Sequence, residues 1–167
     1  DYVDKFIIVE STYTHSGQNR KLLFDKIKFS KFKDKINYVV LDKPPINLFT
    51  LNSSDSEHEK NSKFILNAVR RENLQRNKIL EGLNLASPND LIIISDIDEI
   101  PNLEENNIKI IKNKIIFFQQ KYFHYKFNLK LEKYIWHGSK ACKKKNLISP
   151  QWLRNIKSKV YPFWRVD

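Results

Sequence analysis

The chain has 167 residues, 41% of them hydrophobic, which is enough for one folded core but too few for two large domains. No apolar run approaches the roughly 20 residues that a membrane-spanning helix needs, and no signal-peptide pattern opens the chain. The net charge of +11 would suit a nucleic-acid-binding protein, but it is spread along a chain rich in Lys, Asn and Ile, so we expect no nucleic-acid partner.

Two short β-branched runs in the first half of the chain predict buried strands. They extend from Phe6 to Val9 and from Tyr38 to Leu41. A polar loop over residues 47–57 follows. From Glu57 to Leu83 apolar residues recur at helical spacing, and Gly82 is a stop signal. This pattern predicts one long helix or two abutting helices.

The run from Leu91 to Ile94 is the strongest predicted strand, and it is apolar on both faces. We expect it in the middle of a covered sheet, as a second neighbour of the Phe6 strand. Residues 115–118 and 122–125 predict further strands, antiparallel and aromatic. Ser149-Pro150 predicts a helix start, and residues 143–145 a solvated loop. The element order predicts an α/β fold with a mixed sheet flanked by helices, in a single domain over residues 1–167.

The acidic sequence Asp96-Ile97-Asp98-Glu99 stands directly after the Leu91 strand. In open α/β sheets, ligands bind beyond the carboxyl ends of the strands. Two Asp residues one position apart on a loop can both turn toward one hard cation, and Mg²⁺ or Mn²⁺ keeps positions open for phosphate oxygens. The pattern therefore predicts a metal site at Asp96 and Asp98 that neutralises charge on a leaving diphosphate.

Two other interpretations of this loop remain. Acidic residues favour helix N-termini, so the loop is also compatible with a turn that caps a following helix. The same pattern occurs in phosphatases whose nucleophile is the first Asp of an Asp-x-Asp motif. Such enzymes need a second acidic pair downstream, and the later acidic residues are only Glu104, Glu105, Glu132 and Asp167.

Three segments resemble blocks of glycosyltransferase family 17, in the family's order and at similar spacing. They are residues 3–11, residues 71–77 and residues 90–101, of which the last, with Ser-Asp-x-Asp-Glu-Ile-Pro, is the most specific. Four further residues look like weaker later landmarks of the family: Trp136, Gly138, Leu153 and Arg154.

The best-known members of this family are β-1,4-mannosyl-glycoprotein β-1,4-N-acetylglucosaminyltransferases. The resemblance implies a GT-A fold, a UDP-sugar donor, a glycan or glycoprotein acceptor, and inversion at the anomeric carbon. We therefore expect a metal-dependent enzyme that transfers a sugar to a glycan hydroxyl, with GlcNAc as the expected sugar. The family pattern also leads us to expect missing flanking segments at both ends. The alternative to an enzyme is an inactive relic that binds sugar or nucleotide.

The remaining candidate residues are interpreted with this resemblance. Arg71 and Arg76 on the predicted helix suit diphosphate oxygens, although Arg76 is equally placed to pair with Glu72 on the surface. Glu10 ends the first strand and is a candidate donor contact. Glu99 and Asp98 are the candidate catalytic carboxylates, because an inverting transferase needs a base for the acceptor hydroxyl. We expect His137 to be structural, with metal ligation as its alternative.

Overall fold

The computed structural model describes residues 2–104, 113–126 and 128–157. The chain divides into two compact units, the first covering Val3–Leu85 and the second beginning at Ala86. Helices and several small sheets make it a mixed α/β protein, as predicted. The single domain over residues 1–167 stays a prediction. No helix among the described residues is long and apolar enough to cross a membrane.

The first unit is built on two parallel strands, β1 (Phe6–Ser11) and β2 (Ile36–Leu41). Both predicted strands are confirmed, and each is two residues longer than its apolar run. β1 continues through Glu10 and Ser11 because both of these polar residues are buried beside β2. A 3₁₀ helix, Ser30–Lys35, leads directly into β2.

Two abutting helices, α1 (Glu57–Asn77) and α2 (Ile79–Gly82), complete the first unit, which is one of the two arrangements that the apolar spacing predicted. Ser56 starts α1 with a capping box, in which its hydroxyl accepts from the Glu59 N–H and the Glu59 carboxylate accepts from the Ser56 N–H. α2 packs closely on β1, since a Cβ added at Gly82 would overlap the side chain of Ile7. This close approach explains the glycine at the end of the helical pattern.

The second unit contains a three-stranded antiparallel sheet. Its order is β3 (Leu91–Ile94), β7 (Lys140–Lys143) and β4 (Ile115–Phe117). Within this sheet, the prediction that the Leu91 strand is central was wrong for the described residues. Its pairing with the Phe6 strand, which belongs to the other unit, stays a prediction. β3 is an edge strand with alternating burial, and the middle position belongs to β7, where Ala141 is fully buried. Small side chains suit this crowded centre.

An antiparallel pair, β5 (Gln120–Phe123) and β6 (Lys130–Trp136), and the helix α3 (Pro150–Asn155) complete the second unit. The predicted helix start is confirmed, because the Ser149 hydroxyl accepts from the Trp152 N–H at 3.0 Å. The solvated loop predicted at residues 143–145 was wrong in part. Lys143 ends β7, and a 3₁₀ helix, Lys144–Asn146, follows it.

Candidate functional site

The acidic sequence after β3 forms a closed turn. The Glu99 N–H donates to the Asp96 carbonyl at 3.0 Å, and the Asp96 N–H donates to Glu99 Oε2 at 3.1 Å. These two hydrogen bonds fix both ends of the turn, so Ile97 and Asp98 occupy its tip. Both tip residues are exposed. The sequence thus places one carboxylate, Asp98, at the outermost point of a turn with a defined backbone.

Glu99 anchors the turn from inside. Its side chain is only 6% exposed. Its Oε1 accepts hydrogen bonds from Trp136 Nε1 and from Arg154 Nη2, each at 2.7 Å, while Oε2 accepts from the turn backbone. A buried carboxylate needs such partners, because an unpaired charge is costly to remove from water. Both oxygens of Glu99 are therefore used within the protein.

Arg154 on α3 joins the two ends of the turn. Its Nη2 lies 2.7 Å from Asp96 Oδ2 as well as from Glu99 Oε1, and its Nη1 donates to the Gly138 carbonyl. The guanidinium also lies over the Trp136 ring, 5.7 Å from the ring centroid. Arginine suits this place because its planar fork donates in several fixed directions at once, which lysine cannot do.

The absence of a side chain at Gly138 leaves room for the Glu99 carboxylate and the Trp136 ring. A Cβ added there would overlap the Glu99 carboxylate and the Trp136 indole nitrogen. The glycine is required by close approach, not by an unusual backbone angle. His137 beside it packs edge-on against the Phe117 ring, with centroids 6.4 Å apart, which fits the structural role expected for it.

Asp98 differs from its two acidic neighbours. Within the described part of the chain, no donor contacts its carboxylate. Asp96, Asp98 and Glu99 carry three negative charges and Arg154 one positive charge, so this group has a net charge of −2 at neutral pH. A divalent cation matches that charge.

The turn fits the kind of site that Mg²⁺ or Mn²⁺ uses, namely one or two carboxylates plus phosphate and water oxygens. Asp98 would supply an open carboxylate, and Asp96, whose side chain is 38% exposed, lies beside it in sequence. Among the described residues, no group of three or more His, Cys, Asp or Glu side chains is placed to hold a metal ion. An ion held by Asp96 and Asp98 would keep positions open for phosphate and water oxygens.

Glu10, in the first unit, is a buried carboxylate surrounded by donors. It accepts from the N–H groups of Leu23 and Phe24 at 2.6 and 3.0 Å, from the Tyr38 hydroxyl at 2.8 Å, and from Arg20 at 2.6 Å. Burial acts to raise the pKa of Glu10, but these hydrogen bonds outweigh it and hold that pKa below its ordinary value. Burial and the bond to Glu10 in turn raise the pKa of Tyr38 to about 12.

The two arginines predicted from α1 lie in different surroundings. Arg71 donates to the His15 carbonyl at 3.0 Å and packs against Gly17, which turns the chain after β1 with a φ of +91°. Arg76 pairs with Glu72, one helical turn earlier, at 2.9 Å. The i,i+4 pair that the sequence offered as an alternative is thus present, but the Arg76 side chain is only 11% exposed, so it is not a surface pair. The predicted donor contacts of both arginines stay predictions.

The sequence profile of glycosyltransferase family 17 matches residues 1–151. This chain belongs to glycosyltransferase family 17. The match covers most of the chain and confirms the family expected from the acidic loop and the two earlier blocks. Comparison with curated proteins gave no significant match, and comparison with solved structures gave none either.

Two residues of this family 17 chain were not predicted as site residues, although both contact the acidic turn. Arg154 and Trp136 entered the sequence analysis only as weak family landmarks. Arg154 lies 58 positions from Asp96 and beyond the residues that the family profile matches. A pattern of neighbouring residues carries no signal for such a contact.

Proposed function

We propose that this chain is a metal-dependent inverting glycosyltransferase that moves a sugar from a UDP-sugar to a glycan hydroxyl. Family membership supports glycosyl transfer in general. The observation that carries the finer proposal is the exposed Asp98 carboxylate at the tip of a braced turn directly after β3. UDP-GlcNAc is the first donor to test, because of the family resemblance, and we propose a GT-A fold on the same ground.

Asp98 and Asp96 would hold Mn²⁺ or Mg²⁺. When bound, that ion would offset the charge on the donor's diphosphate. Arg154 withdraws one Asp96 oxygen into an ion pair and leaves the Asp98 carboxylate outside it. Glu99 therefore holds the turn from inside and Asp98 faces solvent, while Asp96 contributes both to the turn and to the proposed metal site.

An inverting transfer needs a base that takes the proton of the acceptor hydroxyl. Glu99 was predicted for that role, yet a base must reach the proton it removes, and both Glu99 oxygens accept hydrogen bonds from the protein. The geometry favours a positioning role for Glu99. Its action as the base stays a prediction that a pH–rate profile of Glu99→Gln tests, because loss of the base removes the acidic limb of the profile.

The decisive experiment is a UDP-release screen of several UDP-sugars with Mn²⁺ and glycan acceptors, beginning with UDP-GlcNAc. We expect acceptor-dependent UDP release that chelation of the metal abolishes. Asp98→Ala should abolish both this release and Mn²⁺-dependent UDP binding. Asp4→Ala is a matched control, because Asp4 is also exposed and no donor among the described residues contacts it.

Other outcomes separate the rival functions. UDP or sugar binding without turnover, in every donor and acceptor combination, would identify an inactive relic. Release of inorganic phosphate without an acceptor would favour the Asp-x-Asp hydrolase. Unchanged Mn²⁺-dependent UDP affinity in Asp98→Ala, measured by calorimetry, would remove the metal assignment.

A further inference from the structure

The first unit carries a surface on which basic and apolar side chains are both exposed. None of its residues has a role in the proposed reaction. Residues 21–34 include five lysines and two aspartates, and every residue in this stretch except Phe24 is exposed. We call it the lysine–aromatic segment. Its net charge of +3 lies in the loop after β1 and in the 3₁₀ helix that precedes β2.

Large apolar side chains are exposed between these lysines. Ile27 is 86% exposed and Leu23 is 77% exposed, while Phe29 and Phe32 are about two-fifths exposed. Burial of such side chains is the ordinary outcome of folding, and a monomer gains nothing by presenting them to water. Their concentration in one short segment therefore indicates a surface that is covered in use.

Lysine ammonium groups lie directly beside aromatic rings in this segment. The Lys31 ammonium lies 4.9 Å from the centroid of the Phe32 ring, and the Lys28 ammonium lies 5.9 Å from that of Phe29. An ammonium over the face of an aromatic ring is a cation–π contact, so charged and apolar groups share one surface here.

The backbone of the lysine–aromatic segment is held in place. The Glu10 carboxylate accepts from the N–H groups of Leu23 and Phe24, and the Phe24 ring packs on Tyr38 with centroids 5.0 Å apart. Asp25 Oδ1 accepts hydrogen bonds from the N–H groups of Ile27 and Lys28. The exposed side chains are thus presented by a defined loop attached to the β1–β2 pair.

We propose that the lysine–aromatic segment binds the surface of an anionic phospholipid bilayer. An acidic polymer, such as a nucleic acid or an acidic glycan, would use the lysines but would gain nothing from Ile27 and Leu23. A bilayer uses both, because anionic headgroups attract the lysines while the apolar side chains enter the acyl boundary. The segment lies on the membrane in this proposal and does not span it.

The test is co-sedimentation of the whole chain with vesicles of phosphatidylcholine alone or with added phosphatidylglycerol. We expect binding to the anionic vesicles that weakens as salt is raised. Ile27→Glu should lower the partition coefficient by on the order of tenfold. Ile46→Glu is its matched control, since Ile46 is fully exposed elsewhere in the same unit. The assay measures no transferase activity, so its result is independent of the proposed reaction.

The charge contribution is tested with the double variant Lys28→Gln/Lys31→Gln. Each lysine removed should weaken binding about fivefold. Lys43→Gln/Lys121→Gln removes two exposed charges outside the segment and should have a much smaller effect. No binding to anionic vesicles would overturn the proposal. Binding that depends on the lysines but is unchanged in Ile27→Glu would overturn it in favour of a soluble acidic polymer.

Discussion

Glu10 and Asp98 are both carboxylates just at or beyond the end of a strand, yet their surroundings are opposite. Glu10, at the end of β1, is buried and accepts from two backbone N–H groups, a tyrosine and an arginine. Asp98, after β3, is exposed and has no donor in the described part of the chain. A carboxylate near the end of a strand therefore has a structural task in one unit and is left open in the other.

The difference shows that the supply of donors, more than position, decides what a strand-end carboxylate can do. A carboxylate offers about four acceptor sites, and Glu10 uses at least that many on protein groups. Its predicted contact with the donor would have to replace one of them. Asp98 keeps its full capacity for a cation, because Glu99 and Arg154 stabilise the turn without it.

The largest effect should come from Asp98. Asp98→Asn keeps the size of the side chain but removes its charge, so transferase activity should fall by at least about 100-fold. The free energy of unfolding should change by less than about 0.5 kcal/mol, as for exposed sites elsewhere. Kinetics with Mn²⁺ and thermal denaturation of the same preparation check both values. A large loss of stability would show that Asp98 is structural, like Glu10.

Glu10→Gln should show the reverse behaviour. The glutamine amide would place an N–H donor against the donor groups that surround the Glu10 carboxylate. We therefore expect a loss of about 2 kcal/mol in the free energy of unfolding at pH 7. Because the pKa of Glu10 is lowered on folding, its stabilisation is present above the ordinary value of 4.5 and is lost as pH falls through the lower folded value.

Denaturant titrations across the acidic range check the Glu10 prediction. The difference in stability between wild type and Glu10→Gln should shrink as the pH is lowered below 4.5. Glu57→Gln is the control, because the Glu57 side chain is 83% exposed and forms only an i,i+3 pair. A pH-independent difference would contradict the role of the Glu10 charge.

Arg154→Lys should have an intermediate effect. Lysine keeps the positive charge but cannot contact Asp96, Glu99 and the Gly138 carbonyl together. We expect Mn²⁺-dependent UDP affinity to fall by roughly tenfold, the lower end for residues that orient a metal ligand. Arg70→Lys in the first unit serves as the matched control. Equal affinities in calorimetry would show that the turn keeps its shape without Arg154.

Arg76→Lys should change the free energy of unfolding little. Lysine keeps the positive charge of the helical i,i+4 pair with Glu72, so the change should stay below about 1 kcal/mol. If Arg76 also contacts the diphosphate, as the sequence predicts, UDP affinity should fall although stability does not. Full UDP affinity in this variant would contradict a contact of Arg76 with the diphosphate.

Local patterns predicted the elements that local forces decide. β1, β2, β3 and the end of the helical region followed from apolar runs and Gly82, although the sequence left open whether that region is one helix or two. β7 was missed because Lys140-Ala141-Cys142-Lys143 has little strand character of its own, and it becomes a strand only between β3 and β4. For the same reason β3 was wrongly placed at the centre of a sheet.

The candidate site shows the same contrast between what neighbouring residues reveal and what distant contacts decide. Asp96, Asp98 and Glu99 are adjacent in sequence and were found there. Their distinct roles depend on Arg154 and Trp136, which are brought in by α3 and β6 from far along the chain. Sequence alone could therefore name the acidic loop but could not tell its buried carboxylate from its exposed one.

The glycine at position 138 constrains how this site can vary among relatives. Because the carboxylate of Glu99 occupies the volume of a side chain at 138, the two positions cannot change independently. A relative with alanine or a larger residue there must carry a shorter side chain at the position of Glu99, or a displaced ring at that of Trp136. Such a relative would lose the inner anchor of the turn, so Gly138 serves as a one-residue test for whether a homologue keeps this geometry.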